Sequence, residues 1–230
     1  MDQAISEPES LPREKPQDIV LCEEGEHIIS VGPSGDSVVS FFPSFLAAGE
    51  AEEAFARLLS PDEVAWRQNA DKHGPHPRLT AWYGAKTYSY SGFTHPPHEK
   101  WHPLLEDIRK RIEVRTGDSF NSVLCTLYRD GTDNVLWHSD DEPELGKNPV
   151  IASVSLGAVR LFQLRKKPPP ESKDDFSCCQ VINVPLPHGS LLIMKGSTQD
   201  DWEHCVAATV IKETEQSPVS RINLTYRTVH

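Results

Sequence analysis

The chain has 230 residues, 37% of them hydrophobic, and a formal net charge of -11, which suits one domain large enough to bury its own core. Such an acidic balance is not typical of a general nucleic-acid binder, so any nucleic-acid contact requires a local basic face. The first residues lack the apolar segment of a secretory signal, and no apolar run approaches the roughly 18 residues of a membrane span. The five cysteines include no zinc-type C-x-x-C pair, which predicts reduced thiols in the nucleus or cytoplasm.

Residues 1–35 are rich in Pro, Glu and Ser and poor in aromatics. Eight acids stand against two basic residues in the first 32 positions. Such a composition is typical of disorder. We therefore predict a disordered acidic tail over 1–35 and one domain over 36–230.

Two helices are predicted next. The stretch "GEAEEAFARLLS" indicates a short helix with Phe55, Leu58 and Leu59 on one side. A second helix begins at Pro103, a favoured first-turn residue, and ends at Gly117. Its apolar stripe is made of Leu104, Leu105, Ile108 and Ile112.

From there on, the pattern indicates strands. The stretch "NSVLCTLYRDGTDNVLWH" has two short apolar runs around Asp-Gly-Thr-Asp, which predicts a hairpin. Further runs follow in "VIASVSLGAVRLFQLR", "CCQVINVPLPHGSLLIMKG" and "SRINLTYRTVH", with "RKKPPPESKDDFS" as a solvated tip. About eight short strands predict a jelly roll or related barrel, mostly β with flanking helices (α+β).

A metal site is the first functional hypothesis. In "WHSDDEPELG", His138 and Asp140 are two residues apart, and such residues on a strand point to the same side. With His204 they would form a 2-His-1-carboxylate triad, which leaves open positions on iron. A strand-end histidine beside solvated acids is the alternative.

The last strand, "RINLTYR", alternates polar and apolar residues. Its polar side carries Arg221, Asn223, Thr225 and Arg227. One interpretation is an edge strand whose arginines lie in water. The other places both arginines inside a barrel, where buried charge requires anionic partners such as the two carboxylates of a dicarboxylic acid.

These stretches, together with "PRLTAWYG" and "PLPHGSLLIMKGSTQDDWEH", occur in the order typical of one family. The sequence resembles the AlkB family of iron(II)- and 2-oxoglutarate-dependent dioxygenases, the nucleic-acid demethylases, over most of residues 77–229. The resemblance implies a double-stranded β-helix. It also implies a set of catalytic iron ligands, namely His138, Asp140 and His204. The 2-oxoglutarate contacts that it implies are Tyr128, Arg221, Asn223 and Arg227.

One position departs from the family pattern. The family has Asn two residues before the tyrosine, and this chain has Thr126 there. A hydroxyl can donate and accept a hydrogen bond but is shorter than an amide. We expect Thr126 to face the cosubstrate, with weaker binding or with a water in the gap.

The implied reaction uses Fe(II), 2-oxoglutarate and O2, and yields succinate, CO2 and formaldehyde from a base methyl group. Substrates such as 1-methyladenine and 3-methylcytosine are cationic, which favours nearby carboxylates. We therefore expect Asp141, and less strongly Glu142, to contact the base, and Tyr90 to stack on it. The target base must leave its stack to reach iron.

Single-stranded DNA or RNA is the expected partner, bound by a monomer in the nucleus and cytoplasm, with no membrane contact. A small basic face of Arg78, Lys86, Lys100 and the histidines at 95, 98 and 102 would suit it. Two alternatives remain open. One is the same chemistry on a protein side chain or small molecule, and the other is a non-catalytic metal-binding module.

Overall fold

A computed structural model gives the architecture of the chain. The residues that it describes are 15–71, 74–90, 92–172, 175–210 and 219–230, without the side chain of Tyr90. The helices are α1 (Ala48–Leu59), α2 (Pro103–Thr116) and α3 (Thr198–Asp201), with 3-10 turns at Pro143–Leu145 and Pro170–Ser172. The strands within these ranges are β1 (Ile19–Val20), β2 (Gly25–Gly32), β3 (Gly35–Phe42), β4 (Arg67–Asp71), β5 (Gly74–Gly84), β6 (Tyr88–Tyr90), β7 (Phe93–His95), β8 (Ser122–Tyr128), β9 (Val135–His138), β10 (Ile151–Gly157), β11 (Arg160–Lys166), β12 (Val181–Leu186), β13 (Ser190–Gly196), β14 (Trp202–Val206) and β15 (Arg221–Arg227).

Two sheets form the body of the protein. The larger has the strand order β2-β3-β13-β10-β15-β8-β5-β4, and the smaller has the order β1-β12-β11-β14-β9. One apolar core, which includes Ile151, Leu164 and Leu192, contains residues of both sheets. The prediction of a mostly β jelly roll with flanking helices is confirmed. Among the described residues, no helix combines the length and apolar character needed to cross a bilayer.

Both predicted helices are present and pack on the larger sheet. A second core joins Leu58 of α1 and Ile108 of α2 to Leu224 of β15. Helix α2 begins at Pro103 and ends where Gly117 adopts a left-handed φ of 76°, a conformation that glycine reaches without strain. Leu59, expected on the buried side of α1, is instead 37% exposed, because the helix ends at this residue.

The predicted tail is too long. β2 pairs with β3 in the larger sheet, and β1 pairs with β12 in the smaller one. The described part of the stretch 1–35 therefore contains two strands, one paired with the strand that follows it and the other with a strand about 160 residues away. Residues 1–14 lie outside the described residues.

The hairpin predicted around Asp-Gly-Thr-Asp is wrong. β8 pairs with β15 and β5 in the larger sheet, whereas β9 pairs with β14 in the smaller one. The connection crosses from one sheet to the other, and Arg129 donates to Asp133 at 2.8 Å within it. This crossing brings the end of β9 to face the polar side of β15.

β15 is a central strand, between β10 and β8. Its apolar residues Leu224 and Tyr226 pack toward the helices, and the Tyr226 hydroxyl donates to the Leu105 carbonyl at 2.9 Å. Its polar alternate residues occupy the opposite face. Arg221 and Arg227 are only 1% and 4% exposed, so the edge-strand interpretation is wrong.

Candidate metal and cosubstrate site

Two predicted ligands lie on paired strands of the smaller sheet. His138 of β9 is directly opposite His204 of β14, and their ring centroids are 4.2 Å apart. Phe162 of β11 stacks on His204 at 5.2 Å between centroids. The strand register therefore holds both imidazoles on one face of the sheet, against an apolar wall.

Asp140 follows β9 and completes the cluster. Its backbone N–H donates to Gln199 Oε1 at 2.9 Å, which fixes the chain after the strand end. The potential ligand atoms of His138, Asp140 and His204 all lie within 4.8 Å of one another. The structure thus brings together the three residues expected from the sequence.

The charge states of this cluster suit a divalent metal. Burial alone would raise the pKa of Asp140, but Arg227, His204 and His138 together outweigh burial and hold that pKa at about 2. Arg227 Nη2 donates to Asp140 Oδ2 at 2.7 Å. Burial lowers the pKa of His138. Burial, together with the nearby His138, lowers the pKa of His204 to about 3. At neutral pH the cluster is two neutral imidazoles and one carboxylate.

The geometry of the donors also fits a metal. His138 Nδ1 lies 2.8 Å from the Leu136 carbonyl, so Nδ1 carries the hydrogen and Nε2 keeps its lone pair. Asp140 Oδ1 is buried and has no hydrogen-bond donor among the described residues. Two imidazole nitrogens and one carboxylate oxygen are the donor set of non-haem iron sites.

The expected cosubstrate residues lie on neighbouring strands of the larger sheet. In the register of β8 and β15, Tyr128 is opposite Arg221, and Thr126 is opposite Asn223. Thr126, Tyr128 and Asn223 line the same cavity as the three potential metal ligands, and so does Arg227. Thr126 therefore faces the site, as its spacing from Tyr128 predicts.

Arg221 is the residue best suited to hold a carboxylate. Its Nη2 donates to Asn223 Oδ1 at 2.6 Å and to Ser155 Oγ at 2.9 Å. Its Nε and Nη1 atoms are buried and make no hydrogen bond of normal geometry to a described residue. Burial lowers the pKa of Arg221, which reflects a cation without an anionic partner among the described residues.

A second buried arginine strengthens the positive potential. The Cζ atoms of Arg160 and Arg221 lie 5.5 Å and 5.0 Å from the centroid of the Tyr128 ring. Arg160 donates to backbone carbonyls, including those of Asp133 at 2.9 Å and Ala207 at 2.6 Å. The two guanidinium groups thus favour a negatively charged group near Tyr128. One carboxylate of 2-oxoglutarate has the required charge and acceptor atoms.

Several residues of the site were not predicted from the sequence. Gln199 orients Asp140, and Ser153 Oγ donates to Asn223 Oδ1 at 2.9 Å. Ser155 and Arg160 contact Arg221 and Tyr128 as described above. The alternation of small polar residues in "IASVSLG" is the one local signal for the two serines. No local signal marks Gln199, because its partner Asp140 is 59 residues away in the sequence.

The two acids after Asp140 have different environments. Asp141 is exposed, which weakens the expectation that it contacts the base. Glu142 is partly buried, and its burial together with Asp140 raises its pKa to about 7. Tyr88 is close enough to Glu142 to lower that pKa slightly, and the Tyr88 ring lies 5.6 Å from Arg227 Cζ. Of these two acids, Glu142 is therefore the one whose pKa is affected by Asp140 and Arg227.

The expected basic face is only partly formed. His95 and His102 are buried, and His102 lies 2.7 Å from Glu63 and caps α2. Arg78 is buried as well and lines the site cavity. Tyr90 lies on β6, opposite Phe93, but its side chain is outside the described residues.

Comparison with known proteins gives a consistent result. The family model of the 2OG-Fe(II) oxygenase superfamily matches residues 38–227. The chain is 45% identical to the human protein named alpha-ketoglutarate-dependent dioxygenase alkB homolog 3, over 98% of this chain and 78% of that protein. It is 36% identical to the human DNA oxidative demethylase ALKBH2, over 87% of this chain and 78% of that protein.

A solved structure entitled "The structure of OsALKBH1" has a TM-score of 0.54 at 18% identity. It covers 83% of this chain and 97% of that one. At this identity the likeness concerns the fold, and it agrees with the jelly roll described above.

Proposed function

Because the chain belongs to the 2OG-Fe(II) oxygenase superfamily, and within it to the AlkB family of dioxygenases, we propose that it demethylates N-alkylated bases in nucleic acid. It is an Fe(II)/2-oxoglutarate-dependent dioxygenase, with Fe(II), 2-oxoglutarate and O2 as cofactors and cosubstrates. The proposed substrates are 1-methyladenine and 3-methylcytosine in single-stranded DNA or RNA. The observation that carries the proposal is the His138-Asp140-His204 cluster, in which Asp140 and His204 are buried and His138 is partly buried, beside the partly buried acid Glu142.

In this proposal His138, Asp140 and His204 hold Fe(II), and Arg221 holds one carboxylate of 2-oxoglutarate with Tyr128 and Asn223. Arg227 keeps Asp140 ionised and is close enough to the cluster to attract the other carboxylate. When bound, the iron and its cosubstrates supply the oxidising chemistry, which yields succinate, CO2 and formaldehyde.

The remaining task of the chain is to select and orient the base. A carboxylate at Glu142 attracts a cationic methylated base more than its neutral product. Phe162 and Val206 line the cavity with apolar surface, which limits the access of water to the metal cluster. A base bound there must be turned out of its stack, which costs least in a single strand.

We further propose that the protein acts as a monomer in the nucleus and cytoplasm. A dioxygenase acting on a protein side chain or small molecule is the second candidate. The net charge of -11 and the burial of two of the three expected surface histidines favour that candidate. Two observations argue against a non-catalytic metal-binding module: the chain belongs to a family of dioxygenases, and Arg221 has no anionic partner among the described residues.

One incubation separates these candidates. The protein is mixed with Fe(II), ascorbate and 2-oxoglutarate, with and without a single-stranded oligonucleotide that contains 3-methylcytosine, and succinate is measured. Succinate that depends on the methylated oligonucleotide supports the proposal. Succinate formation that an unmodified oligonucleotide stimulates equally, or that needs no oligonucleotide, would favour the second candidate.

A further inference from the structure

A second cavity, of about 270 Å³, lies between β4, β5 and β7. It shares no lining residue with the metal and cosubstrate cavity. Its volume is below the roughly 300–1,000 Å³ that is typical of sites for drug-sized ligands. The cavity therefore suits a ligand of about the size of one heteroaromatic base.

The interior of this cavity carries neutral hydrogen-bonding groups. Asn69, which is 5% exposed, donates to Thr80 Oγ1 at 2.9 Å. His95 is also 5% exposed, and its Nε2 atom makes no hydrogen bond to any described residue. Burial, helped by the charge of Arg67, lowers the pKa of His95 to about 4, so the ring is neutral at physiological pH. A buried polar atom without a partner is costly, and the edge of a base could provide that partner.

Aromatic rings and one cation complete the cavity. Phe93 contacts His95 edge to face at 4.9 Å, and Trp82 lies 6.1 Å from His95 between ring centroids. Arg67 is exposed at the rim and forms no ion pair with a described carboxylate. The aromatic rings could stack on a base, the neutral polar groups could bond to its edge, and the cation at the rim could pair with the anionic phosphate of a nucleotide.

The cavity is close to the candidate active site. Thr80 of β5 is opposite Thr126 of β8, which lines the metal and cosubstrate cavity. On the same strand, Trp82 stacks on Tyr88 at 4.8 Å, and Tyr88 contacts Glu142 and Arg227. The two cavities are therefore lined by paired residues of adjacent strands.

We propose that the cavity of Arg67, Asn69 and His95 binds one base of the strand next to the methylated base, with its phosphate at Arg67. This inference rests on the proposed function, because it assumes a nucleic-acid substrate. The ligand chemistry is that of a nucleoside monophosphate, supplied either by the strand or by a free nucleotide. The strand is the favoured source, since the two cavities are adjacent.

The test compares substrates of different length. Wild type, Arg67→Gln and His95→Leu are assayed on a short 3-methylcytosine oligonucleotide and on the free 3-methylcytidine monophosphate. Arg67→Gln should raise the oligonucleotide KM about three- to tenfold, the scale of one weakened nucleotide contact, and leave the mononucleotide KM unchanged. Arg115→Gln, an exposed arginine on α2, is the matched control and should change neither value. Because Arg67 is exposed, its variant tests the proposal even where His95→Leu fails to fold.

Each other outcome has a defined meaning. An unchanged oligonucleotide KM, or an equal rise for both substrates, would overturn the proposal. An unmodified nucleoside monophosphate that binds at Arg67 without any change in the oligonucleotide KM would also overturn it, in favour of a free nucleotide. If the wild type demethylates no oligonucleotide, the proposed function fails. In that case, fluorescence anisotropy measures the binding of an unmodified single strand to wild type and to Arg67→Gln. Weaker binding by Arg67→Gln would support the proposed cavity, and equal binding would reject it.

Discussion

Arg221→Met should separate ligand binding from stability. Methionine keeps an unbranched side chain, which is shorter than that of arginine, and removes the buried charge. In the folded protein, Arg221 has two hydrogen bonds, to Ser155 and Asn223, and no carboxylate partner among the described residues. We therefore expect the variant to fold and to lose 2-oxoglutarate binding.

The magnitudes follow from these contacts. Replacing buried ion pairs by apolar side chains of similar volume is often neutral or stabilising by about 1–4 kcal/mol, and removing an unpaired buried cation likewise removes its desolvation cost. The hydrogen bond lost by Ser155 costs about 1–3 kcal/mol, while Asn223 Oδ1 keeps its bond from Ser153. The free energy of unfolding without ligand should thus stay within about 2 kcal/mol of wild type. Loss of a forked arginine–carboxylate contact should weaken 2-oxoglutarate binding by about 3 kcal/mol or more, about a hundredfold.

Thermal and chemical unfolding with and without 2-oxoglutarate and Mn(II) measure both quantities. The ligand should raise the Tm of wild type and leave that of Arg221→Met unchanged. Arg160→Met is the control, because Arg160 is equally buried but donates to three backbone carbonyls. It should lose about 3 kcal/mol or more of stability. An Arg221→Met variant that is as destabilised as Arg160→Met, yet still binds 2-oxoglutarate normally, would show that Arg221 stabilises the fold and does not hold the cosubstrate.

The other predictions concern single positions. Thr126→Asn should lower the 2-oxoglutarate KM about three- to tenfold, near 1 kcal/mol, with little change in kcat; a KM that stays or rises would mean that the neighbours are adapted to threonine. Asp140→Ala should abolish turnover and, because it leaves Arg227 buried without its partner, lower the free energy of unfolding by about 3–5 kcal/mol; full activity would remove the triad hypothesis. Gln199→Leu should weaken metal binding about 10- to 100-fold in an Mn(II) titration, because Asp140 loses its orienting contact; an unchanged affinity would contradict that role. For His95, the folded pKa of about 4 lies below the ordinary value of 6.5, so the unfolded chain binds the proton first and stability falls as the pH drops from 6.5 to 4; His95→Gln should flatten this part of the stability profile, and an identical slope would contradict the burial argument.

Local periodicity explains which site residues were predictable. The alternation in "RINLTYR" predicts that Arg221, Asn223 and Arg227 share one face of a strand, so all three could be placed in the candidate site together. Thr126 and Tyr128 are likewise two residues apart and share one face of β8. The spacing of His138 and Asp140 predicted their proximity, although Asp140 lies past the strand end.

Other features depend on contacts that no local pattern encodes. The apolar pattern of β8 and β9 would be the same if the two strands paired with each other or belonged to different sheets. The pattern therefore could not show that they belong to different sheets, and the hairpin prediction was wrong. Beyond the end of β9, side-chain direction no longer alternates regularly, so the sequence does not indicate that Glu142 is the more buried of the two acids after Asp140. The role of Gln199 arises from the packing of α3 next to β14, which only the tertiary structure reveals.

In the proposed function, the metal held by His138, Asp140 and His204 would supply the chemistry that removes a methyl group from a base. The most direct measurement follows a single-stranded 3-methylcytosine oligonucleotide by mass spectrometry, with formaldehyde and succinate measured in the same reaction. Unmodified cytosine, formaldehyde and succinate should form in equal amounts with wild type, and none should form with Asp140→Ala. Succinate without formaldehyde or restored cytosine would contradict the proposed demethylation.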